Sequence, residues 1–298
     1  MGGHASAEGK PPAATRAAAG QGMATRRGAP VMTRLIGWLW WLLLPIRKHL
    51  AVANYRQAFP DRDPGELRRT VGEMVMAYVH LLLGRRAVVE GVELLSGGGI
   101  IVAGHGTNWD IALISVGEQV PLTIFVKPPS NRLAAWAIER WRRAAGVELL
   151  PPHGSMAAAY DALDRGRCVV FVQDQRHNKG IAVPFFGRPA LTSPAMAAMI
   201  WRTRRPVFGT WQWCDRGRYR VRVERLPWPV PDDRDEAIVE LTARSQRFYE
   251  DRIRTAPHGW LWLHDRWKNA PPHCEDPLGE DPRGDGASST GAPAPPAD

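Results

Sequence analysis

Five short apolar runs, at residues 100–103, 122–126, 147–150, 168–172 and 183–186, punctuate the chain. Helical stretches separate several of them, at about 107–118, 131–145, 155–165 and 193–203. Apolar runs of that length between turn residues read as buried strands. Parallel strands need a crossover between them, and helices supply it. The expected fold class is therefore α/β, a central and mostly parallel sheet flanked by helices. Runs at 207–213 and 219–225 flank Asp215-Arg216-Gly217-Arg218, a hairpin signal. Further helices are expected at 48–58, 64–84 and 234–255. In the second of these, Leu67, Val71, Met74, Val75, Tyr78 and Leu82 form one apolar stripe, with Asp63 as a cap and Pro64 near the first turn.

The ends differ from the middle. Residues 1–30 are Ala-, Gly- and Pro-rich, and 270–298 are Pro-, Gly-, Ser- and acid-rich, so both read as disordered tails. The net charge of +9 is uneven, because the C-terminal tail is acidic and the body is strongly basic. All but five of the 39 basic residues are arginine, a residue suited to phosphate, although a coding bias explains the excess equally well. Such a balance points to an anionic partner: nucleic acid, a membrane surface or a phosphorylated substrate. No nucleic-acid-binding motif accompanies the charge. Cys168, Cys214 and Cys274 are scattered, which excludes a disulfide framework or a Cys-based zinc site and fits a reducing compartment.

Residues 35–46 (LIGWLWWLLLPI) are uncharged and hold three of the 13 tryptophans. As a helix they reach about 18 Å, short of the roughly 20 residues that a bilayer span needs. Arg34 precedes them, and Arg47, Lys48 and His49 follow. Basic flanks and interfacial tryptophans suit an anchor that lies in the membrane surface or half enters it, over 31–47. A buried core helix is the alternative. The segment begins too late, and lacks the cleavage site, for a signal peptide.

The stretch from Ile100 to Asp110 (IIVAGHGTNWD) carries the chemistry. A strand ends at Gly104, His105 follows, and a helix begins near Thr107. Active sites of open α/β sheets lie at such strand ends. On one helix His105 and Asp110 would point about 140° apart. With His105 in the loop and Asp110 in the first turn, the two can face each other as a general-base pair. Asp110 also suits a cap, since Thr107-x-x-Asp110 is close to a capping box. No Ser or Cys elbow accompanies the histidine, so the nucleophile is expected to be a substrate hydroxyl.

Here the chain resembles the bacterial lipid A biosynthesis (lauroyl/myristoyl) acyltransferases, within the lysophospholipid acyltransferase-like superfamily. His105-Gly-Thr-Asn-Trp-Asp110 is similar to their HxxxxD/E motif. Four other blocks occur in order: Ala53 to Pro60 (ANYRQAFP); Lys127 through Arg142 and Gly146; Gln173-Asp174-Gln175; and Val183-Pro-Phe185-Phe186-Gly187 with Pro189, Ala190 and Thr192. The closing stretch Trp260 to Lys268 (WLWLHDRWK) matches as well. The resemblance covers roughly 31–269 and implies a glycerolipid acyltransferase-type α/β/α fold with an N-terminal membrane-anchoring helix before a catalytic domain over 48–269. It implies a fatty acyl chain moved from acyl carrier protein or coenzyme A to a hydroxyl of a membrane glycolipid such as a lipid A precursor, with no acyl-enzyme. His105 would take the proton and Asp110 would orient His105. Asn108, Lys127, Arg142, Asp174, Gln175, Phe185, Phe186 and Gly187 are the implied substrate-binding positions. Arg142 would stabilise the oxyanion or hold phosphate, unless it is a solvated helix charge beside Arg140 and Arg143. Asp174 would bind acceptor hydroxyls or hold its loop. Neither metal nor cofactor is implied beyond the thioester co-substrate. The implied setting is the cytoplasmic face of the inner membrane, on an anionic lipid surface. Asp110 stands where many lipid A members carry Glu, which keeps lysophospholipid and phosphatidylinositol-mannoside acceptors open. A catalytically inactive membrane-binding homologue is the non-enzyme alternative.

Arg218, Arg220 and Arg222 alternate with Tyr219, Val221 and Val223, so the arginines share one strand face. That face is either an anionic contact or an ordinary solvated hairpin. His177 and Lys179 are further head-group candidates, and His264 among tryptophans reads as structural.

Overall fold

The computed structural model describes residues 30–43, 46–127 and 131–279. The expected tails lie outside them, apart from Pro30 and 270–279. The chain opens with helices α1 (Val31–Leu42), α2 (Lys48–Ala58) and α3 (Leu67–Leu82). Then come β1 (Val88–Glu90), β2 (Gly99–Ala103), α4 (Trp109–Gly117), β3 (Leu122–Phe125), α5 (Arg132–Ala144), β4 (Glu148–Leu150), α6 (Met156–Asp164) and β5 (Cys168–Val172). A hairpin of β6 (Ile181–Phe185) and β7 (Arg188–Thr192) leads to α7 (Ala195–Thr203), β8 (Val207–Asp215), β9 (Arg218–Arg225) and α8 (Arg234–Thr255).

Seven strands form one sheet in the order β1-β9-β8-β2-β5-β3-β4. Every neighbouring pair is parallel except β8 with β9. The mostly parallel α/β architecture is thus present. Consecutive strand residues serve opposite faces, and both faces are buried. Ile100 and Val102 of β2, with Val169 and Phe171 of β5, meet α7 and α8 residues such as Ile200 and Tyr249. Ile101 and Val170 meet Ile111 and Ile114 of α4 on the other face, beside Ala77 and Leu81 of α3.

The run at 183–186 is a strand outside this sheet. It forms β6, which pairs only with β7 among the described residues, through the tight turn Phe186-Gly187 (φ +52° and +67°). The hairpin at 207–225 forms as expected, with its turn at Arg216-Gly217. Its β9 is not an edge, however. Short β1 covers it, and Glu90 of β1 pairs with Arg220 and Arg222, each at 3.0 Å. One carboxylate thus offsets one of the three arginine charges on that face.

At the N-terminus the apolar segment is a helix of 12 residues, not one running to 47. Thr33, Gly37 and Trp40 face α3. Gly37 and Gly72 set this crossing: a Cβ on Gly37 would overlap the Arg68 carbonyl, and one on Gly72 the Thr33 carbonyl. The outer face, with Leu35, Trp38, Leu39 and Leu42, is exposed. No helix among the described residues is long and apolar enough to cross a membrane.

Candidate active site

Central strands β2 and β5 run parallel and in register, with Ala103 opposite Val172. From β2 the chain crosses through α4 to β3, beyond β5; from β5 it crosses through α7 to β8, beyond β2. The two connections leave in opposite directions, the topological switch point at which open α/β sheets place their ligands. His105 lies two residues past Ala103, and Asp174 two past Val172. The register alone brings them side by side.

The contact is close. His105 Nδ1 lies 2.8 Å from Asp174 Oδ1, and the His105 backbone N–H donates to Oδ2 at 2.6 Å. Trp260 Nε1–H donates to the same Oδ2 at 2.7 Å. Burial pushes the Asp174 carboxyl up, but the His105 ring and these three hydrogen bonds outweigh it and hold the group below its ordinary value. An ionised carboxylate only accepts, so Nδ1 carries the ring proton and Nε2 is left as an acceptor. The His105 side chain is 20% exposed and tilts against the Trp109 ring at 5.3 Å.

The loop around His105 is fixed on both sides. The Leu261 N–H donates to the His105 carbonyl at 3.1 Å, and the Thr107 N–H to Gly259 at 3.1 Å. Gln212 Nε2 donates to the Gly104 carbonyl at 2.9 Å. Gly106 lets Gln212 approach, since a Cβ there would strike its amide. The closing Trp260–Lys268 block thus straps the motif loop.

Asp110 is placed differently from the expectation that it orients His105. It is buried in the first turn of α4, where Arg142 Nε and Nη2 reach its Oδ1 at 3.0 and 2.7 Å. Tyr78 donates its hydroxyl to Oδ2 at 2.8 Å. Both oxygens are committed to α5 and α3, and the carboxylate beside His105 is Asp174 instead. The capping reading is not realised either, because the start of α4 has no side-chain cap. Arg142 is buried, stacks over Trp109 at 4.6 Å and is not a solvated charge.

The remaining expected residues scatter. Asn108 is buried and its amide has no hydrogen-bond partner among the described residues. It borders a cavity of about 60 Å³ between α3 and the start of α4, with Thr107, Tyr78 and Asp110. A second cavity of about 40 Å³, apolar, lies between α4 and the sheet, against Ile101, Leu113 and Val170. Trp109 borders both. Gln175 is half-buried beside Asp174, and Lys127 is exposed at the end of β3. Phe185, Phe186 and Gly187 border neither cavity. Phe185 stacks on Trp267 and meets Trp260 edge-on at 5.5 Å, so it supports the donor to Asp174 from behind. The Phe186 N–H is held by Glu250 at 2.6 Å. Gly187 is exposed at the turn. Sequence reasoning missed Tyr78, Gln212 and the Trp260 donor. Tyr78 reads as part of an apolar stripe and nothing local marks Gln212, while Trp260 stands out in the closing block but not as a donor to Asp174.

The family model for bacterial lipid A biosynthesis acyltransferases matches residues 82–269. The lipid A biosynthesis palmitoleoyltransferase of Escherichia coli (strain K12) is 24% identical over 255 residues, covering 76% of this chain and 80% of that protein. The lipid A biosynthesis acyltransferase of Shigella flexneri matches to the same extent. The crystal structure of a 1-acyl-sn-glycerophosphate acyltransferase from Thermotoga maritima aligns with a TM-score of 0.34 at 16% identity, over 73% of this chain and 95% of that one. The chain belongs to the bacterial lipid A biosynthesis acyltransferase family, and it is an acyltransferase of lipid substrates.

Proposed function

We propose that this enzyme moves a fatty acyl chain from a thioester of acyl carrier protein or coenzyme A to a hydroxyl of a glycolipid such as a lipid A precursor. The observation that carries the mechanism is the His105–Asp174–Trp260 chain of hydrogen bonds. Nε2 of His105 takes the acceptor hydroxyl proton as its oxygen attacks the thioester carbon. The tetrahedral intermediate expels the thiolate, which recovers that proton from His105. No acyl-enzyme forms. Asp174 fixes the ring tautomer and stabilises the imidazolium without itself taking the proton. The N-terminus of α4 directs its dipole at the charge that develops next to His105. Asp110 and Arg142 neutralise each other and hold that helix start in place.

The setting is the cytoplasmic face of the inner membrane. The exposed apolar face of α1 supports this reading: its outward leucines and Trp38, with Arg68 over the Trp38 ring at 4.3 Å, suit the head-group region. Residues 31–47 then form the membrane element and 48–269 the catalytic unit. Lipid mass spectrometry of a strain lacking the protein tests the function. A glycolipid lighter by one acyl chain is expected, and a changed phospholipid or mannoside with unchanged glycolipid overturns the acceptor assignment.

A further inference from the structure

Helix α5 has two unlike faces. Inward, Arg142 holds Asp110. Outward, Leu133 is 73% and Trp136 62% exposed, and Arg140 and Arg143 continue the same stripe at helical spacing. The one acid of α5, Glu139, stands at the edge of this stripe, four residues before Arg143, yet neither arginine has an ion-pair partner among the described residues. Helices α1, α3, α4 and α5 touch in that order. The layer therefore presents exposed apolar residues on α1, on α3 (Val75 and Val79) and again on α5.

We propose that the outer face of α5 is a second membrane contact, which seats on an anionic bilayer. Leu133 and Trp136 enter the interface, and Arg140 and Arg143 meet lipid phosphates, their stems lying along the apolar boundary. The inference rests on the membrane setting proposed above. A bilayer fits better than an acidic carrier protein, because two large apolar side chains of α5, Leu133 and Trp136, stand exposed beside the charges that follow on the same face.

Flotation of the full chain with phosphatidylcholine vesicles, with and without phosphatidylglycerol, tests this. Two double variants are compared, Leu133→Ser with Trp136→Ser and Arg140→Gln with Arg143→Gln. The wild type is expected to float with the anionic vesicles, and each α5 variant to bind about tenfold more weakly. Transfer to a vesicle-embedded acceptor should fall in step, while transfer to a detergent-dispersed acceptor stays at the wild-type rate and reports intact folding. Variants that float like the wild type overturn the proposal. Unchanged flotation with a raised KM for acyl carrier protein reassigns the face to the carrier. A wild type that does not float overturns the membrane setting itself.

Discussion

The Asp174 carboxylate accepts twice from one residue, from the His105 ring at 2.8 Å and from the His105 backbone N–H at 2.6 Å. Ring and loop are thereby fixed by a single buried charge. Replacing it by an amide keeps the shape and allows the wrong tautomer. Asp174→Asn is expected to lower kcat by about 10²–10⁴-fold with little change in KM for the thioester. Steady-state acyl transfer measures this. Activity within a few-fold of wild type would show that the Asp174 charge does not set the His105 tautomer.

Asp110 and Arg142 form a buried ion pair, and breaking such a pair strands a charge. Asp110→Ala is expected to cost about 3–5 kcal/mol of stability, read from urea unfolding. Adding Arg142→Leu should restore part of that loss, because no charge then remains unpaired. Strictly additive losses would show that the two side chains do not stabilise each other. Tyr78→Phe removes one hydrogen bond to the buried Asp110 carboxylate and should cost about 1.5–3 kcal/mol in the same unfolding measurement.

The strands at Ile100 and Val169 were legible because apolar runs bounded by turns are local signals, and so was the helix that starts beside Asp110. Which carboxylate meets His105 was not. Asp110 is five residues away and Asp174 is 69, yet the parallel register of β2 and β5 favours the distant one. Strand pairing is non-local, so spacing along the chain pointed to the wrong neighbour. Phe185 and Phe186 raise a related point: an aromatic pair looks the same in sequence whether it borders a pocket or packs among tryptophans, as Phe185 does on Trp260 and Phe186 on Trp262. Gly37 and Gly72, which decide how α1 docks, look like ordinary helix interruptions until both helices are in place.

That docking gives a test of the N-terminal element. Gly72→Val places a branched side chain against the Thr33 carbonyl, with backbone on both sides and little room to yield. The expected cost is about 1–3 kcal/mol, the usual range for overpacking. The strain is relieved by α1 leaving α3, so limited proteolysis should cut within residues 31–43 faster than in the wild type. Unchanged cleavage with a normal unfolding midpoint would mean that the crossing adapts without undocking.

Glu73 on α3 makes stability depend on pH in a sense opposite to Asp174. Burial pushes its carboxyl up to about 7, against the pull of Arg69 at 2.7 Å. The folded state therefore holds this proton more tightly than the unfolded chain, whose value is near 4.5. As pH rises through the window from 4.5 to 7, the folded protein loses stability, and above that window the penalty levels off. For Asp174 the folded value is depressed, so its contribution is present at neutral pH and lost on acidification. Glu73→Gln isolates the first effect, since the amide still accepts from Arg69 and carries no charge. The variant should be more stable than wild type above pH 7, on the order of 1–3 kcal/mol, and the gap should close by pH 4.5. Urea midpoints across pH 4–8 measure it. Parallel curves for the two proteins would mean that Glu73 is ionised at no cost in the fold, and that the pH dependence arises elsewhere.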